Sequence, residues 1–362
     1  MSQPHRILVV VGTRPEAVKL SPVVHALQNL PDLGVRVLAT AQHRQMLDQI
    51  HAFFRIAPDR DLDLMRPDQT LADLTSRMLA AVDPVLAEER PAMVLAQGDT
   101  TTVMVTALAC FYRRIPFGHV EAGLRTGDLD NPFPEEMNRV LVGRIARLHF
   151  APTERAAQNL LREGVPEDRV HVTGNTVIDA LLWAAERVDT APFAPPRNRR
   201  LVLVTAHRRE NFGAPFESVC RALRELADRG DVQLLYPVHP NPNVRDVAHR
   251  MLGDHTAIRL VDPIDYPEMV AAMRACHLIL TDSGGVQEEA PSLGKPVLVL
   301  RTTTERPEGV TAGAARLVGT DREAIVSAAN TLLDDDRVYR AMARVDNPYG
   351  DGHAADRKST RL

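Results

Sequence analysis

The chain has 362 residues, 44% hydrophobic and 25% charged, which is long enough for two domains with their own cores and too long for one ordinary core. A net charge of −4 and only 4% aromatic residues argue against a nucleic-acid partner, which needs a cationic surface or stacking platforms. No apolar window is long enough to span a bilayer, "MSQPHRILVV" enters a strand without a signal-type core, and Cys110, Cys220 and Cys276 lack CxxC spacing, so the expected compartment is the cytoplasm.

In chain order, short apolar runs alternate with amphipathic segments. The first half offers "RILVVVG", "VRVLAT", "AMVLAQ", "IPFGHV", "LHFAP" and "VHVTG" as strands. Between them "PEAVKLSPVVHALQNL" and "LADLTSRMLAAVDPVLAEE" read as helices, the second with Leu71, Leu74, Met78, Leu79 and Val82 recurring at helical spacing. Such alternation predicts a parallel sheet with helices on both faces. Residues 189–200, "DTAPFAPPRNRR", have little to bury and read as a linker or long connection. The rhythm then restarts with "LVLVTA", "VQLLYPV", "AIRLVD", "CHLILTD" and "PVLVLR", and the tail after "NPYGDGHA" predicts a short helix. The expected fold is α/β, two doubly wound domains with a cleft between them. Ligands bind beyond the carboxyl ends of such strands, so the residues that follow each strand carry the chemistry.

After the first strand, "GTRPEAVKL" places Gly12 at a turn, Pro15 at a helix start, and Arg14 and Lys19 beside it. This is a phosphate site or a well-capped helix, with equal claim. Without GxGxxG here or YxxxK anywhere, a short-chain NAD-dependent enzyme is disfavoured. In "GDTTT", Asp99 is a natural N-cap. Residues 118–139, "GHVEAGLRTGDLDNPFPEEMNR", gather Glu121, Asp128, Asp130, Glu135 and Glu136. Solubility or proton chemistry would account for them, and after Pro134 the last two also suit a helix start. His207 leaves a strand in "TAHRREN" beside Arg208 and Arg209, either as a phosphate or proton group or as a surface residue, and His239 repeats the pattern in "PVHPNPN". In "TDSGGVQEEAPSLGKP", Asp282 or Ser283 can cap and Gly284 and Gly285 admit an anion. Glu288 and Glu289 lie too deep for the helix dipole to explain, and a carboxylate there suits ribose hydroxyls. Arg306 follows the next strand, within reach of the same pyrophosphate. No HxxxH, HExxH or Cys/His cluster marks a metal site, and no GxSxG marks a serine nucleophile.

Together these strings resemble the non-hydrolysing UDP-N-acetylglucosamine 2-epimerases. The likeness rests on "GTRPEAVKLSPVVHAL", "TAQHRQMLD", "GDTTT", "GHVEAGLRTGD", "PFPEEMNR", "TGNTVIDALL", "TAHRREN", "YPVHPNPNVR", "LTDSGGVQEEAPSLGKPVLVLR", "TTERPEGV" and "NPYGDG", in the family's order. The resemblance implies a GT-B-like pair of Rossmann-type domains. The first spans 1–175, carries the acid/base loop and receives the tail 350–362, and the second, UDP-binding, spans 176–349. It further implies a homodimer interconverting UDP-GlcNAc and UDP-ManNAc with no cofactor and no metal.

Inverting C2 of a hexosamine breaks a C–H bond that is not alpha to a carbonyl, so without NAD the remaining exit is to expel UDP from C1 as the proton leaves. The resemblance assigns Asp99, Glu121 and Glu135 to acid/base work and His207 to the departing UDP or a proton. Arg14, Lys19, Ser283, Gly284, Gly285 and Arg306 would hold the diphosphate, and Glu289 the ribose. Clustered carboxylates repel, which should raise at least one of their pKa values. Met269 stands where some relatives place phenylalanine against uracil, leaving Ile264 to contribute through its backbone. Gln42, Gln45, Glu136, Arg209 and His239 match a second, activating site of several bacterial relatives, but Asp68 stands where arginine is expected. Weakened or absent activation by substrate follows. Competing readings are a hydrolysing epimerase releasing ManNAc and UDP, a GT-B glycosyltransferase and a non-catalytic sensor. The acidic loop counts against the second, and the intact carboxylates count against the third.

Overall fold

The computed structural model describes residues 5–40, 44–66 and 68–362; Gln42 and the side chain of Gln45 lie outside the described residues. The chain forms two compact units, Met1–Ala180 with Gly352–Leu362, and Leu181–Asp351.

Among the described residues of the first unit, seven strands form one parallel sheet. They are β1 (His5–Val11), β2 (Leu33–Ala39), β3 (Arg60–Asp61), β4 (Met93–Gln97), β5 (Phe117–Val120), β6 (Leu148–Ala151) and β7 (Val170–Val172), in the order β3-β2-β1-β4-β5-β6-β7. The connections carry α1 (Arg14–Gln28), α2 (Arg44–Phe54), α3 (Leu71–Glu89), α4 (Thr101–Arg113), α5 (Glu135–Ile145) and α6 (Glu154–Arg162), with α7 (Thr176–Ala185) after β7. Strand β1 is buried on both faces, as a central parallel strand between helical layers requires. Helix α3 turns Leu74, Met78, Val82, Val85 and Leu86 to the core, whereas Leu71 is exposed, because the buried stripe begins one turn after the Thr70 cap. The two-residue β3 carries no apolar run and was not legible as a strand.

The second unit repeats the scheme with β8 (Arg200–Thr205), β9 (Val232–Pro237), β10 (Ile258–Val261), β11 (Leu278–Thr281), β12 (Val297–Val299) and β13 (Ala315–Leu317), in the order β10-β9-β8-β11-β12-β13, all parallel. Its helices are α8 (Ala214–Asp228), α9 (Pro242–Leu252), α10 (Tyr266–Ala275), α11 (Gly284–Glu289), α12 (Pro307–Ala312), α13 (Arg322–Asp334) and α14 (Asp336–Ala343). The proline-rich stretch 189–200 is not a bare linker: Phe193 is buried, and Arg259 Nη1 donates to the Pro192 carbonyl at 3.0 Å. The tail forms α15 (Ala354–Ser359), which packs on α1.

In both sheets the chain reverses its direction of growth beside the first strand. The loops after β1 and β4 are therefore neighbours, as are those after β8 and β11, and these switch points are where doubly wound sheets hold ligands.

Candidate active site

At the first switch point the backbone is tightly constrained. A Cβ on Gly12 would fall 2.2 Å from Thr102 Oγ1, so only glycine lets the β1 loop approach α4. Helix α1 opens with a capping box in which Glu16 reaches back to the N–H groups of Gly12 and Thr13, the latter at 2.6 Å, and accepts from Thr100 Oγ1. Glu16 is buried, and burial pushes its carboxyl up to about 7 against the pull of these donors. The T-x-x-E spacing was readable; its burial was not. Pro15 lies in the first turn as expected, and Arg14 is exposed beside it.

Glu121 follows β5 with φ at 64°, a left-handed conformation that a non-glycine residue adopts only under strain. Lys19 Nζ donates to both of its oxygens, at 2.7 and 2.8 Å, Gln97 Nε2 donates to Oε2, and Asn175 Nδ2 donates to Oε1 at 3.3 Å. These donors come from α1, β4 and the turn before α7, so separate segments of the unit converge on one carboxylate. Gln97 and Asn175 were missed at the sequence level, since an isolated amide carries no pattern.

Asp99 does not cap α4. The cap is Thr100, whose Oγ1 accepts from Val103 N at 3.4 Å, and the Asp99 carboxylate turns instead to Arg139 Nη2 at 2.7 Å. Asn138 Nδ2 holds the Asp99 carbonyl at 2.9 Å, and His119 Nε2 lies 2.7 Å from the carbonyl of Gly98. Burial raises the Asp99 carboxyl, and the charges of Glu121 and Glu135 push the same way, while Arg139 and Lys19 oppose them. Repulsion within the cluster therefore ranks behind both desolvation and the opposing pull of Arg139. Glu135 is half-buried in the first turn of α5.

The remaining acids of the loop do other work. Asp128 and Asp130 are exposed. Glu136 is buried, and its Oε1 accepts from the N–H groups of Thr126 and Gly127 at 2.9 and 3.0 Å, closing the loop onto α5, while Oε2 lies 3.2 Å from Arg139 Nη1.

At the second switch point Asp282, fully buried at the end of β11, accepts the backbone N–H groups of His207 and Arg208, both at 2.8 Å, and its other oxygen lies 3.4 Å from His207 Nδ1. It is thus a cross-loop anchor rather than a cap; Ser283 occupies the N-cap position of α11. Desolvation lowers the His207 pKa, Asp282 opposes this, and His239 adds to the lowering, its ring stacked at 5.6 Å. His239 and Arg209 are exposed. A Cβ on Gly284 would lie 3.9 Å from both the Arg208 and Arg306 guanidinium groups, so two cations flank the start of α11 where Ser283, Gly284 and Gly285 present their backbone. Arg306 is fixed by an ion pair with buried Glu288, and the Tyr349 hydroxyl donates to its carbonyl at 2.9 Å. Asn347 Nδ2 ties the Glu288 carbonyl at 2.7 Å, which gives the "NPYG" string a structural task that the sequence did not disclose. Desolvation, with the Glu289 carboxylate beside it, holds the Tyr266 phenol well above its usual range; Ile264 and Met269 are half-buried around the same helix start.

The three cysteines are buried free thiols, pushed up to about 12 by desolvation and so unreactive. Among the described residues no group of three or more His, Cys, Asp or Glu is arranged to hold a metal, and no helix is long and apolar enough to cross a membrane.

The family model described as UDP-N-acetylglucosamine 2-epimerase matches residues 25–360. The chain is 54% identical to the UDP-N-acetylglucosamine 2-epimerase of Escherichia coli K12, covering 97% of this chain and 96% of that protein. It is 50% identical to the enzyme of that name from Bacillus subtilis, covering 97% and 93%. The crystal structure of UDP-GlcNAc 2-epimerase from Neisseria meningitidis bound to UDP-GlcNAc superposes with a TM-score of 0.90 at 44% identity, covering 99% of both chains.

Proposed function

Because the chain belongs to the UDP-N-acetylglucosamine 2-epimerase family, we propose that it interconverts UDP-GlcNAc and UDP-ManNAc without net hydrolysis, by eliminating UDP and adding it back. The C2–H electrons form the C1=C2 bond as the C1–O bond breaks, giving a 2-acetamidoglucal and UDP. A proton then reaches the other face of C2 while UDP returns to C1.

The observation that carries this reading is the placing of two carboxylates after neighbouring strands, β4 and β5, each held by a cation at 2.7 Å: Glu121 by Lys19 and Asp99 by Arg139. Lys19, Gln97 and Asn175 donate to Glu121 and favour its ionised form, suited to accept the C2 proton. Burial raises Asp99, which therefore keeps a proton to higher pH than an ordinary aspartate, as a group that must deliver one requires. Glu135 is the third member of the set. Ser283, Gly284, Gly285, Arg306 and Arg14 hold the diphosphate in this reading, with Glu289 on the ribose, Ile264 and Met269 on the base, and His207 taking a proton or steadying departing UDP. Lys19 belongs with the diphosphate group as well, while its bonds to Glu121 make it an orienting cation for the base. The second, activating site is proposed to be absent or weak. The buried, unpaired thiols suit a cytoplasmic location.

Incubation with UDP-GlcNAc in D₂O, followed by proton NMR, should load deuterium at C2 of the epimer pool with the UDP linkage retained. Free ManNAc and UDP accumulating in its place overturns the non-hydrolysing reading.

A second copy of the chain is the partner proposed. Phe111 and Tyr112 at the end of α4, Phe133 in the loop before α5, and Met137 and Leu141 one turn apart on α5, the helix that packs on α4, are large exposed apolar groups. Light scattering should give twice the chain mass, and Met137→Glu with Leu141→Glu should return the monomer. A monomeric wild-type chain rules the dimer out.

A further inference from the structure

Helix α15 brings into the first unit a cation that the chemistry above does not use. Lys358 is fully buried, and its Nζ donates to the backbone carbonyls of Gly174 at 3.0 Å and Ala354 at 3.4 Å. Gly174 adjoins Asn175, whose Nδ2 donates to Glu121 Oε1 at 3.3 Å and whose Oδ1 accepts Val177 N at 3.1 Å at the start of α7. The helix is pinned on both sides of the lysine: Ala355 N donates to Asp179 Oδ1 at 2.7 Å, and Arg357 Nη1 to the Thr173 carbonyl at 3.4 Å. A buried ammonium satisfied by carbonyls is a costly way to fill space that an apolar side chain would fill.

We propose that Lys358 is a positioning residue for Glu121, acting through the Gly174–Asn175 turn and through its own charge; its catalytic meaning rests on the epimerase reading. The groups facing it are Asp179 of α7 and Glu121, which favour its charge, and Arg357 of its own helix, which opposes it, while Lys19 of α1 shares the Glu121 carboxylate. Burial brings the ammonium down to about 7, so its proton leaves in the neutral range and Glu121 then loses a neighbouring positive charge. The folded-state value lies below the ordinary 10.5, so burial costs stability in full below pH 7, and the cost is relieved as pH climbs from 7 toward 10.5. Lys358→Met therefore folds, with a gain in melting temperature that is largest below pH 7.

The test follows the Glu121 carboxyl carbon in protein labelled with carbon-13 glutamate, assigned by the loss of its signal in Glu121→Gln. Wild-type protein should show a second inflection near pH 7 that vanishes in Lys358→Met. In the same variant kcat for UDP-GlcNAc should fall on the order of tenfold with KM unchanged, and the pH profile should lose its feature near neutrality. A carbon titration without that inflection in the wild type, or identical in the variant, overturns the proposal. The titration needs no turnover, so a chain that fails to epimerise removes the functional reading and leaves the positioning claim decided by the carbon signal.

Discussion

Glu121→Gln should lower kcat for UDP-GlcNAc by about 10²–10⁴-fold, the usual worth of a positioned acid/base group, with UDP affinity held within about threefold. The substitution keeps the shape and the left-handed backbone at this position, where φ is 64°. It removes the charge that Lys19 faces at 2.7 Å with little solvent around it. Leaving a partly buried ammonium without its carboxylate should cost about 1–3 kcal/mol of stability. The combination separates chemistry from folding, because a merely structural Glu121 predicts the stability loss with near-normal turnover. Calorimetric UDP titration, steady-state kinetics and denaturant melts on the same preparation read all three quantities. Turnover within a few-fold of wild type removes Glu121 from the proton-transfer set.

Much of this was legible in the sequence because each strand that faces a site ends in an apolar run followed by polar residues of unusual type. "AMVLAQ" before "GDTTT" and "CHLILTD" before "SGG" announce both the strand and its functional end. What stayed hidden falls into three physical kinds. Strands β3 and β13 lie at sheet edges and are too short to carry a pattern, so only pairing defines them. Asp99 and Thr100 both cap well, and local chemistry cannot choose between them; Arg139, forty residues away on α5, draws the carboxylate off the helix end. Asn175, Asn347 and Lys358 act through contacts to residues distant in the chain, which leave no trace in spacing. Glu288, conspicuous by its depth in the helix, pairs with Arg306, a partner that spacing does not reveal. Sequence singles out Glu121 and Glu135 from the acidic loop but does not disclose that Glu136 closes the loop by accepting two backbone N–H groups while Asp128 and Asp130 are solvated.

Asp282→Asn should prove nearly as damaging as loss of Glu121, through His207 rather than through contact with the sugar. The Asp282 carboxylate holds two successive backbone N–H groups at 2.8 Å and sits 3.4 Å from His207 Nδ1. At 3.4 Å the two are not hydrogen-bonded, and Asp282 Oδ1 is without a hydrogen-bond partner among the described residues. Tightening of this approach, common when substrate is bound, would place the ring proton on Nδ1 and leave Nε2 as the acceptor. Desolvation already lowers the His207 pKa, so the ring is neutral at pH 7 and the tautomer decides what it can do. Asparagine retains one oxygen for the backbone donors, so the loop after β8 should survive at a cost of about 1–2 kcal/mol. Its amide NH2 then faces Nδ1 as a donor and favours the opposite tautomer, which should lower kcat by about 10²–10⁴-fold. Asp282→Ala separates the two roles: it orphans both N–H groups, should cost about 3–5 kcal/mol, and should weaken UDP binding as well as turnover. Denaturant melts and nitrogen-detected NMR of the His207 ring in the two variants make the comparison. Wild-type kcat in Asp282→Asn with the His207 tautomer unchanged would show that this aspartate is only a backbone anchor.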